Sequence, residues 1–389
     1  MNTKNSKMNI VIATSLPKGR LRNNFFGRRS NLLQIASSKN RVCNDLNLFN
    51  PLLKTIKFLA IIATLFLSTI SFAQSSQYSE IASMPGAFAR MGFGARGMGM
   101  GNAISSVITG DKTAYYNPAL SAYQEDNSLQ TSYSILSLDR SLNFLSFTRR
   151  FELGKKDAAG KIIGKKRIAG ISAGIINAGV SNFPERDNQG NISGELNPFE
   201  NMFFVALANQ FTDKLTIGFT AKFYYSKLYD EVSTNTFGID IGALYRVNEN
   251  LTISAVVSDL LSKYEWDTTP IYGQDGTSGV DDLFPRLRKI GASYFLEELN
   301  LLTAVEFENS SVGTNYLRFG VEYGIYDGFF IRGGLDKYDL SNTSVPSRPS
   351  LGFSYFHDFN TLIVGVNYAF VVEPYSSFDQ HIIGIDINF

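Results

Sequence analysis

The chain has 389 residues, of which 44% are apolar and 13% aromatic, with 33 glycines and a mean hydropathy near zero. No stretch after residue 73 is apolar over the roughly 18 residues that a membrane-spanning helix needs, which argues against a helical membrane protein. This composition is typical of a transmembrane barrel, whose strands alternate apolar and polar residues.

The net charge of +1 conceals two segments of different charge. Residues 1–73 contain 11 of the 36 basic residues and one of the 35 acids, which leaves 25 basic and 34 acidic residues, a charge of −9, in residues 74–389. An acidic chain lacks the basic face that nucleic-acid binding requires, so nucleic acid is not an expected partner. The only cysteine, Cys43, lies in the basic segment, which excludes disulfide and thiol chemistry from the remainder.

Residues 54–73, KTIKFLAIIATLFLSTISFA, have the layout of a signal peptide. Lys54 and Lys57 form the basic end, a short apolar run follows, and Ser71-Phe72-Ala73 is a small-x-small cleavage site. We interpret this stretch as a cleaved export signal rather than an anchor helix, because its apolar run is too short. The basic residues 1–53 are interpreted as an upstream extension from a mis-assigned translation start or as a disordered leader, with an organellar presequence as the alternative.

From Ser128 onward, fourteen segments of about 9–12 residues carry apolar residues at every second position, the period of a strand with one apolar face. In residues 215–226, for example, the odd positions are apolar and should face lipid, while the even positions are mostly polar. A tilted strand of this length crosses a bilayer. The charged residues expected to face the lumen are Lys222, Asp240, Arg246, Glu306, Arg318, Glu322, Arg332, Asp336 and Asp386.

The connections between these segments alternate in length, as they do in outer-membrane barrels with short periplasmic turns and long external loops. The tight ones are residues 212–214, 247–250, 297–298, 326–327 and 359–360, and the longer ones are 179–200, 229–234, 260–285, 309–314, 337–348 and 373–378. Residues 152–165 depart from this rule as a Lys-rich loop on the short side, and 138–141 is short for an external loop. The sequence therefore predicts an all-β protein, with a 14-stranded antiparallel transmembrane β-barrel over residues 128–389, in the outer membrane of a Gram-negative bacterium.

The last predicted strand places His381, Ile383, Ile385, Ile387 and Phe389 on one face. A final Phe after such alternation resembles the signal by which outer-membrane barrels are recognised for assembly. Barrel-assembly machinery and outer-membrane lipid are therefore expected partners. Closure of the first strand on the last would remove the free edges of the sheet.

Residues 74–127 are expected to form a glycine-rich plug segment inside the lumen. Their glycines at positions 94, 97, 99 and 101 permit close backbone approach to an inner wall, and they lack the spacing of a nucleotide-binding loop. Asn117 and Pro118 can cap and start a short helical turn. Asp111 is expected to cap Thr113 or to pair with a lumenal Arg or Lys.

Residues 88–122 resemble the opening motif of the PorV/PorQ family of outer-membrane proteins, which are relatives of the FadL-like long-chain fatty acid transporter barrels. The matching elements are Gly94-Ala95-Arg96, Gly99-Met100-Gly101, Gly110-Asp111 and Tyr116-Asn117-Pro118-Ala119. The chain departs from the family pattern where Leu120 replaces a glycine and Lys112 an acid. The candidate plug residues are Gly94, Arg96, Gly99, Gly101, Asp111, Tyr116, Asn117 and Pro118.

The resemblance implies a non-enzymatic scaffold or shuttle for secreted proteins in type IX secretion, with secretion-system proteins or secreted cargo as partners. The alternative is a FadL-like transporter of hydrophobic small molecules. Inward faces rich in Gly, Ser, Thr and mixed charges are poor lining for an apolar ligand, which favours the scaffold, and a plug argues against a diffusion porin. The two histidines, His357 and His381, are expected on the lipid side with no serine partner, so we expect no catalytic residues, no metal site and no cofactor.

Overall fold

The computed structural model describes residues 78–156, 162–187 and 189–389, with side-chain detail outside residues 155–156 and 162–166. The predicted leader and signal peptide, the first four residues of the predicted plug and the centre of the predicted Lys-rich loop lie outside the described residues. None of the helices in the described ranges is long and apolar enough to cross a membrane.

The described residues contain eighteen β-strands. They are β1 (Ser128–Ile135), β2 (Arg140–Lys156), β3 (Ile162–Val180), β4 (Phe183–Arg186), β5 (Ile192–Leu196), β6 (Phe199–Gln210), β7 (Leu215–Lys227), β8 (Ser233–Arg246), β9 (Leu251–Leu260), β10 (Lys263–Asp267), β11 (Ser278–Leu283), β12 (Leu287–Leu296), β13 (Leu301–Ser310), β14 (Asn315–Tyr326), β15 (Phe329–Asp339), β16 (Arg348–Asp358), β17 (Ile363–Val371) and β18 (Gln380–Asn388).

Fourteen of these strands form one closed antiparallel barrel, which confirms the predicted fold. Each barrel strand pairs with the next barrel strand along the chain, and β1 pairs with β18 from Ser128 opposite Asn388 to Ile135 opposite His381. Because this last pairing closes the sheet, the barrel has no free edge, as a sheet within hydrocarbon requires.

The connections separate into two ends of the barrel. The tight turns around residues 211–214, 247–250, 297–300, 327–328 and 359–362 share the turn end with the start of β1 and the end of β18. The longer connections share the opposite, loop end, where residues 181–198 and 261–286 contain the hairpins β4–β5 and β10–β11. The sequence did not predict these two hairpins because their strands are only four to six residues long, and because β4, β5 and β11 are largely exposed and lack an apolar face.

The prediction of a Lys-rich loop at residues 152–165 was wrong. Strand β2 continues to Lys156, and β3 begins at Ile162. The pairing of β2 with β1 ends at Thr148, opposite Ser128, whereas the pairing of β2 with β3 continues to Lys156. This hairpin extension lies past the last pairing with the rest of the barrel. A strand in water needs no lipid-facing apolar residues, so its sequence does not alternate.

The barrel surface alternates as a membrane-spanning barrel requires. On the outside, Val205, Phe219 and Leu351 are 50%, 44% and 65% exposed, and comparable apolar side chains surround the barrel. Inward neighbours such as Thr220 and Ser350 are buried. An apolar outer belt on a closed sheet is the arrangement that spans an outer membrane.

Residues 78–127, the described part of the plug, run inside the barrel. They form three short 3₁₀ turns, Glu80–Ser83, Ala87–Arg90 and Pro118–Tyr123, and one six-residue helix, α1 (Gly94–Gly99). Helix α1 was not predicted, because glycines disfavour a helix that is not held by tertiary contacts. The largest core cluster joins plug residues such as Phe93 and Met100 to inward wall residues such as Phe144 and Phe204.

Candidate functional site

The lumen is the candidate site, and Arg96 of α1 is its central plug-to-wall contact. The Nε and Nη2 of Arg96 donate to the two carboxylate oxygens of Glu322 on β14 at 2.9 and 2.8 Å. Its Nη1 donates to the carbonyls of Thr109 and Asp111 at 2.9 and 2.8 Å, which holds the plug's own loop. Arg332 on β15 also donates to Glu322, so one buried carboxylate joins the plug to two strands.

A second buried network surrounds Arg318 on β14. Its Nε donates to Asp336 at 2.7 Å, and its Nη atoms contact Glu306 at 3.1 Å and Glu308 at 3.0 and 3.1 Å. Asn102 of the plug donates to the other oxygen of Asp336 at 3.0 Å. Because each of these carboxylates is paired with the Arg318 guanidinium, removing one partner would leave an uncompensated buried charge, which is costly.

A third network lies on the far side of the barrel. The Nζ of Lys222 on β7 contacts Asp240 at 2.7 Å and Asp259 at 3.0 Å. The Tyr224 hydroxyl also donates to Asp259, at 2.6 Å. These contacts join β7, β8 and β9 across the inner wall.

Of the remaining predicted charges, Asp111 and Asp386 adjoin the Arg96 network, and Arg246 lies apart from it. Asp111 accepts a hydrogen bond from Asn388 at 2.8 Å, whereas the expected cap of Thr113 does not form. Asp386 accepts one from Asn367 at 2.6 Å. Arg246 is half-buried at the turn end, where its backbone N–H donates to the Lys214 carbonyl at 2.8 Å.

Inward glycines let the plug backbone touch the wall backbone. A Cβ at Gly334 of β15 would lie 2.1 Å from the Gly101 nitrogen, and one at Gly320 of β14 would lie 2.5 Å from the Met100 carbonyl oxygen. Gly101 itself has φ +59°, a conformation that favours glycine. Gly99, at the end of α1, lies in ordinary van der Waals contact with the wall.

The Asn117-Pro118-Ala119 turn holds the C-terminal part of the plug against the wall. Asn117 caps the turn Pro118–Tyr123 by accepting a hydrogen bond from the Ala119 N–H at 3.0 Å. Its Nδ2 donates to the carbonyls of Ser105 at 3.0 Å and Ala243 of β8 at 3.3 Å. The fully buried amide therefore ties two plug segments to the wall.

Replacement of Asn117 by alanine is expected to lower the free energy of unfolding by about 2 kcal/mol, since a cap is lost and a buried carbonyl loses its donor. Urea unfolding in detergent, monitored by electrophoretic mobility, measures this change. Asn209→Ala, at an exposed position near the end of β6, is the matched control. Equal unfolding free energies for the two variants would contradict the assigned role.

The plug is braced by Tyr116, whose hydroxyl donates to Asn102 at 2.6 Å and accepts from the Phe93 N–H at 2.9 Å. A Cβ at Gly97 would lie 2.1 Å from this hydroxyl, so α1 needs glycine there. Gly94, with φ +72°, begins α1. Lys112 of the plug is buried, and this burial lowers the pKa of its ammonium group to about 8.

An aromatic lid covers the loop end of the plug. The ring of Phe284, after β11, lies 4.8 Å from that of Tyr224 in a tilted arrangement and 4.8 Å from that of Tyr264 in an edge-on arrangement, measured between centroids. The ring of Trp266 lies 5.5 Å from that of Tyr264. A Cβ at Gly86 of the plug would lie 2.2 Å from the Phe284 ring. We call Phe284, Tyr224, Tyr264 and Trp266 the aromatic lid.

Among the described residues, two small cavities between the plug and the wall each have a volume of about 30 Å³. One is lined by charged residues that include Arg90, Lys222, Glu306 and Arg318, and the other by polar residues around Asp386. A water molecule needs about 10–15 Å³ of such volume, so each cavity accommodates about two waters. Sites for small organic ligands are about 300–1,000 Å³ and mostly apolar.

The structure brings Arg96, Glu322 and Arg332 together in one network, to which Asp386 is linked through Asn367 and Ser354. It brings Arg318, Glu306 and Asp336 together in a second network, and Lys222 and Asp240 in a third. The sequence analysis missed Glu308, Asp259, Asn102 and Arg348. Period-two alternation along β13 would have found Glu308. Asp259 could not be found in this way, since its φ of +60° turns it inward where the β8–β9 register shifts.

A scan against protein-family models and a search of curated proteins found no match. Among solved structures, the P. putida toluene transporter TodX is 12% identical, with a TM-score of 0.43 over 77% of this chain and 99% of that chain. A TodX monoaromatic hydrocarbon channel mutant is 13% identical, with a TM-score of 0.48 over 76% and 99%. A Pseudomonas aeruginosa FadL homologue is 12% identical, with a TM-score of 0.43 over 77% and 98%. By its own geometry, the described chain is a membrane-spanning barrel filled by its own plug.

Proposed function

We propose that this protein is a non-enzymatic outer-membrane barrel that binds a protein partner through its loop end. The PorV/PorQ resemblance implies a partner of the type IX secretion pathway, either a secretion-system protein or secreted cargo. In this role the barrel is an anchor, and the hairpins β4–β5 and β10–β11 are the surfaces that the partner contacts.

The filled lumen is the observation that supports this proposal. Two buried ion networks, reached from the plug by Arg96 and Asn102, and the backbone contacts at inward glycines fasten the plug to the wall. The two cavities described above hold only water-sized molecules. Moving a solute through such a lumen would require several buried charge pairs to separate, which is costly. A function exerted at the loop end needs no such movement.

Transport of a hydrophobic small molecule is the second candidate, and the aromatic lid favours it. The lid places four aromatic side chains against the apolar start of the plug, beside Phe88. This is a region of the lumen that an apolar molecule would enter if the β10–β11 hairpin moved. Among the similar solved structures, TodX is a toluene transporter.

Trp266 distinguishes the two candidates, because it is the chain's only tryptophan and lies in the lid. Titration of the purified barrel with toluene or with a long-chain fatty acid should leave its fluorescence unchanged if the protein is a docking barrel. A saturable spectral shift that is lost in Phe284→Ala would instead support transport.

Site-specific photo-crosslinking in cells tests docking directly. A photoreactive residue at Tyr272, the exposed tip of the β10–β11 hairpin, should capture a protein partner. The same residue at Glu249, in an exposed turn at the turn end, is the control and should not capture it. Capture at Glu249 alone would contradict docking at the loop end.

A further inference from the structure

We propose that the free edge of β11 accepts an extended, basic segment of the partner protein as an added third strand. The inference rests on the proposed docking function and specifies its mode. Strands β10 and β11 form a two-stranded sheet outside the barrel, in which Lys263 lies opposite Leu283 and Glu265 lies opposite Asp281.

One edge of this small sheet is already used. The backbone N–H groups of Lys263 and Glu265 donate to the hydroxyls of Thr236 and Thr234 on β8, at 3.3 and 3.2 Å. The Thr234 hydroxyl in turn donates to the Glu265 carbonyl at 2.9 Å. Strand β10 is therefore fastened to the barrel wall.

The other edge is open. Because Lys263 and Glu265 direct their backbone groups away from β11, the residues opposite them, Leu283 and Asp281, direct theirs away from β10. All six residues of β11 are exposed, and no strand in the described part of the chain pairs with this edge. Such an edge is a template on which an extended segment can add main-chain hydrogen bonds.

The negative charge of the β10–β11 hairpin indicates that the added segment is basic. Residues 261–286 contain five acids against two basic residues, Lys263 and Arg286. The acids are Glu265, Asp267, Asp275, Asp281 and Asp282. Asp281 forms an exposed ion pair with Lys263 at 2.8 Å, and the two basic residues against five acids leave the hairpin with a net charge of −3. A second copy of β11 would oppose like charges across the pairing, which is destabilising, whereas alternating Lys or Arg would be complementary.

The side chains give the added strand a second contact. Val280 and Leu283 are 51% and 64% exposed, although they lie next to the aromatic lid. Because side chains alternate along a strand, they lie on opposite faces of the small sheet. An apolar residue of the added strand can therefore pack on Val280 from one face of the sheet or on Leu283 from the other. We expect the added segment to alternate basic and apolar residues, so that its apolar side chains share one face.

The first test uses an acetylated peptide of alternating lysine and valine, as long as β11, with a glutamate–valine peptide as its control. Bound to the purified barrel, the lysine peptide should protect the amides of Asp281 and Leu283 from hydrogen exchange and change the fluorescence of Trp266. Equal binding of the glutamate peptide would overturn the proposal.

The second test separates backbone pairing from side-chain contact. Leu283→Pro removes an N–H that faces the open edge and leaves the pairing with β10 intact, so it should weaken lysine-peptide binding about tenfold. Leu283→Ala keeps the N–H and should bind within about twofold of the unmodified barrel. Unchanged heat-modifiable mobility of both variants shows that the barrel is folded. Equal affinity of the two variants would overturn the proposal.

Crosslinking at Tyr272 distinguishes this inference from the proposed function. A partner captured by the original chain and lost in Leu283→Pro supports both. Equal capture by the two chains overturns the added strand and leaves docking in place. Capture of a second copy of this chain in place of another protein overturns both. Absence of any captured protein, with the lysine peptide still protecting the β11 amides, overturns docking and leaves a peptide-binding edge.

Discussion

Replacement of Glu322 by glutamine is expected to lower the free energy of unfolding by about 3–5 kcal/mol, because it removes one partner of a buried ion network. Two guanidinium groups, those of Arg96 and Arg332, would then face each other inside the lumen without their shared carboxylate. The lost contact is also the main bond between α1 and the wall. We therefore expect the plug to leave the lumen in part of the molecules.

Two measurements check this result. Urea unfolding gives the change in free energy, and single-channel recordings in planar bilayers should show open events that the unmodified barrel lacks. Glu249→Gln, an exposed acid at the turn end, is the matched control and should change neither. In a double-mutant cycle, Arg96→Gln should be less costly in the Glu322→Gln background than alone. Additive costs and a closed channel would show that this network does not hold the plug.

Replacement of Gly334 by alanine is expected to destabilise the protein by about 1–3 kcal/mol, since the new methyl group overlaps plug atoms that are themselves backbone. Its Cβ would lie 2.1 Å from the Gly101 nitrogen and 2.3 Å from the Met100 carbonyl carbon. Neither atom belongs to a flexible side chain, so the plug has to move as a whole.

Gly333→Ala is the neighbouring control on the opposite face of β15. There the nearest atom to an added Cβ is a Leu351 methyl at 3.8 Å, which is ordinary contact. Because glycine in a strand costs about 0.5–1 kcal/mol relative to alanine, this variant should be neutral or slightly more stable. Hydrogen exchange of the Met100 and Gly101 amides should rise only in Gly334→Ala. Equal exchange in both variants would contradict the close backbone packing.

These two effects explain the mixed inner surface of the barrel. Inward charges such as Arg318 and Lys222 pair with carboxylates of neighbouring strands, and inward glycines such as Gly334 let the plug backbone lie against the wall. The small inward residues make room for a segment of the chain itself. The lumen is thus a core with polar walls.

The amino-acid sequence by itself determined the barrel. Period-two alternation places Phe219 outward and Lys222 inward whatever the neighbouring strands are, because successive side chains of a strand point to opposite faces. In the same way, the alternation of short and long connections determined which connections lie at each end of the barrel. Asn117 and Pro118 specified their turn locally, through a cap and a fixed backbone angle, and it formed as expected.

The tertiary structure alone decided which groups meet. Arg96 and Glu322 are 226 residues apart, and no local pattern pairs them. Helix α1 forms from a glycine-rich stretch because contacts with the wall outweigh its poor helix propensity. Asp259 faces inward only because a register shift between β8 and β9 interrupts the alternation. The open edge of β11 likewise depends on β8 holding the opposite edge of its hairpin, a pairing set by the folded barrel and by no residue of the hairpin alone.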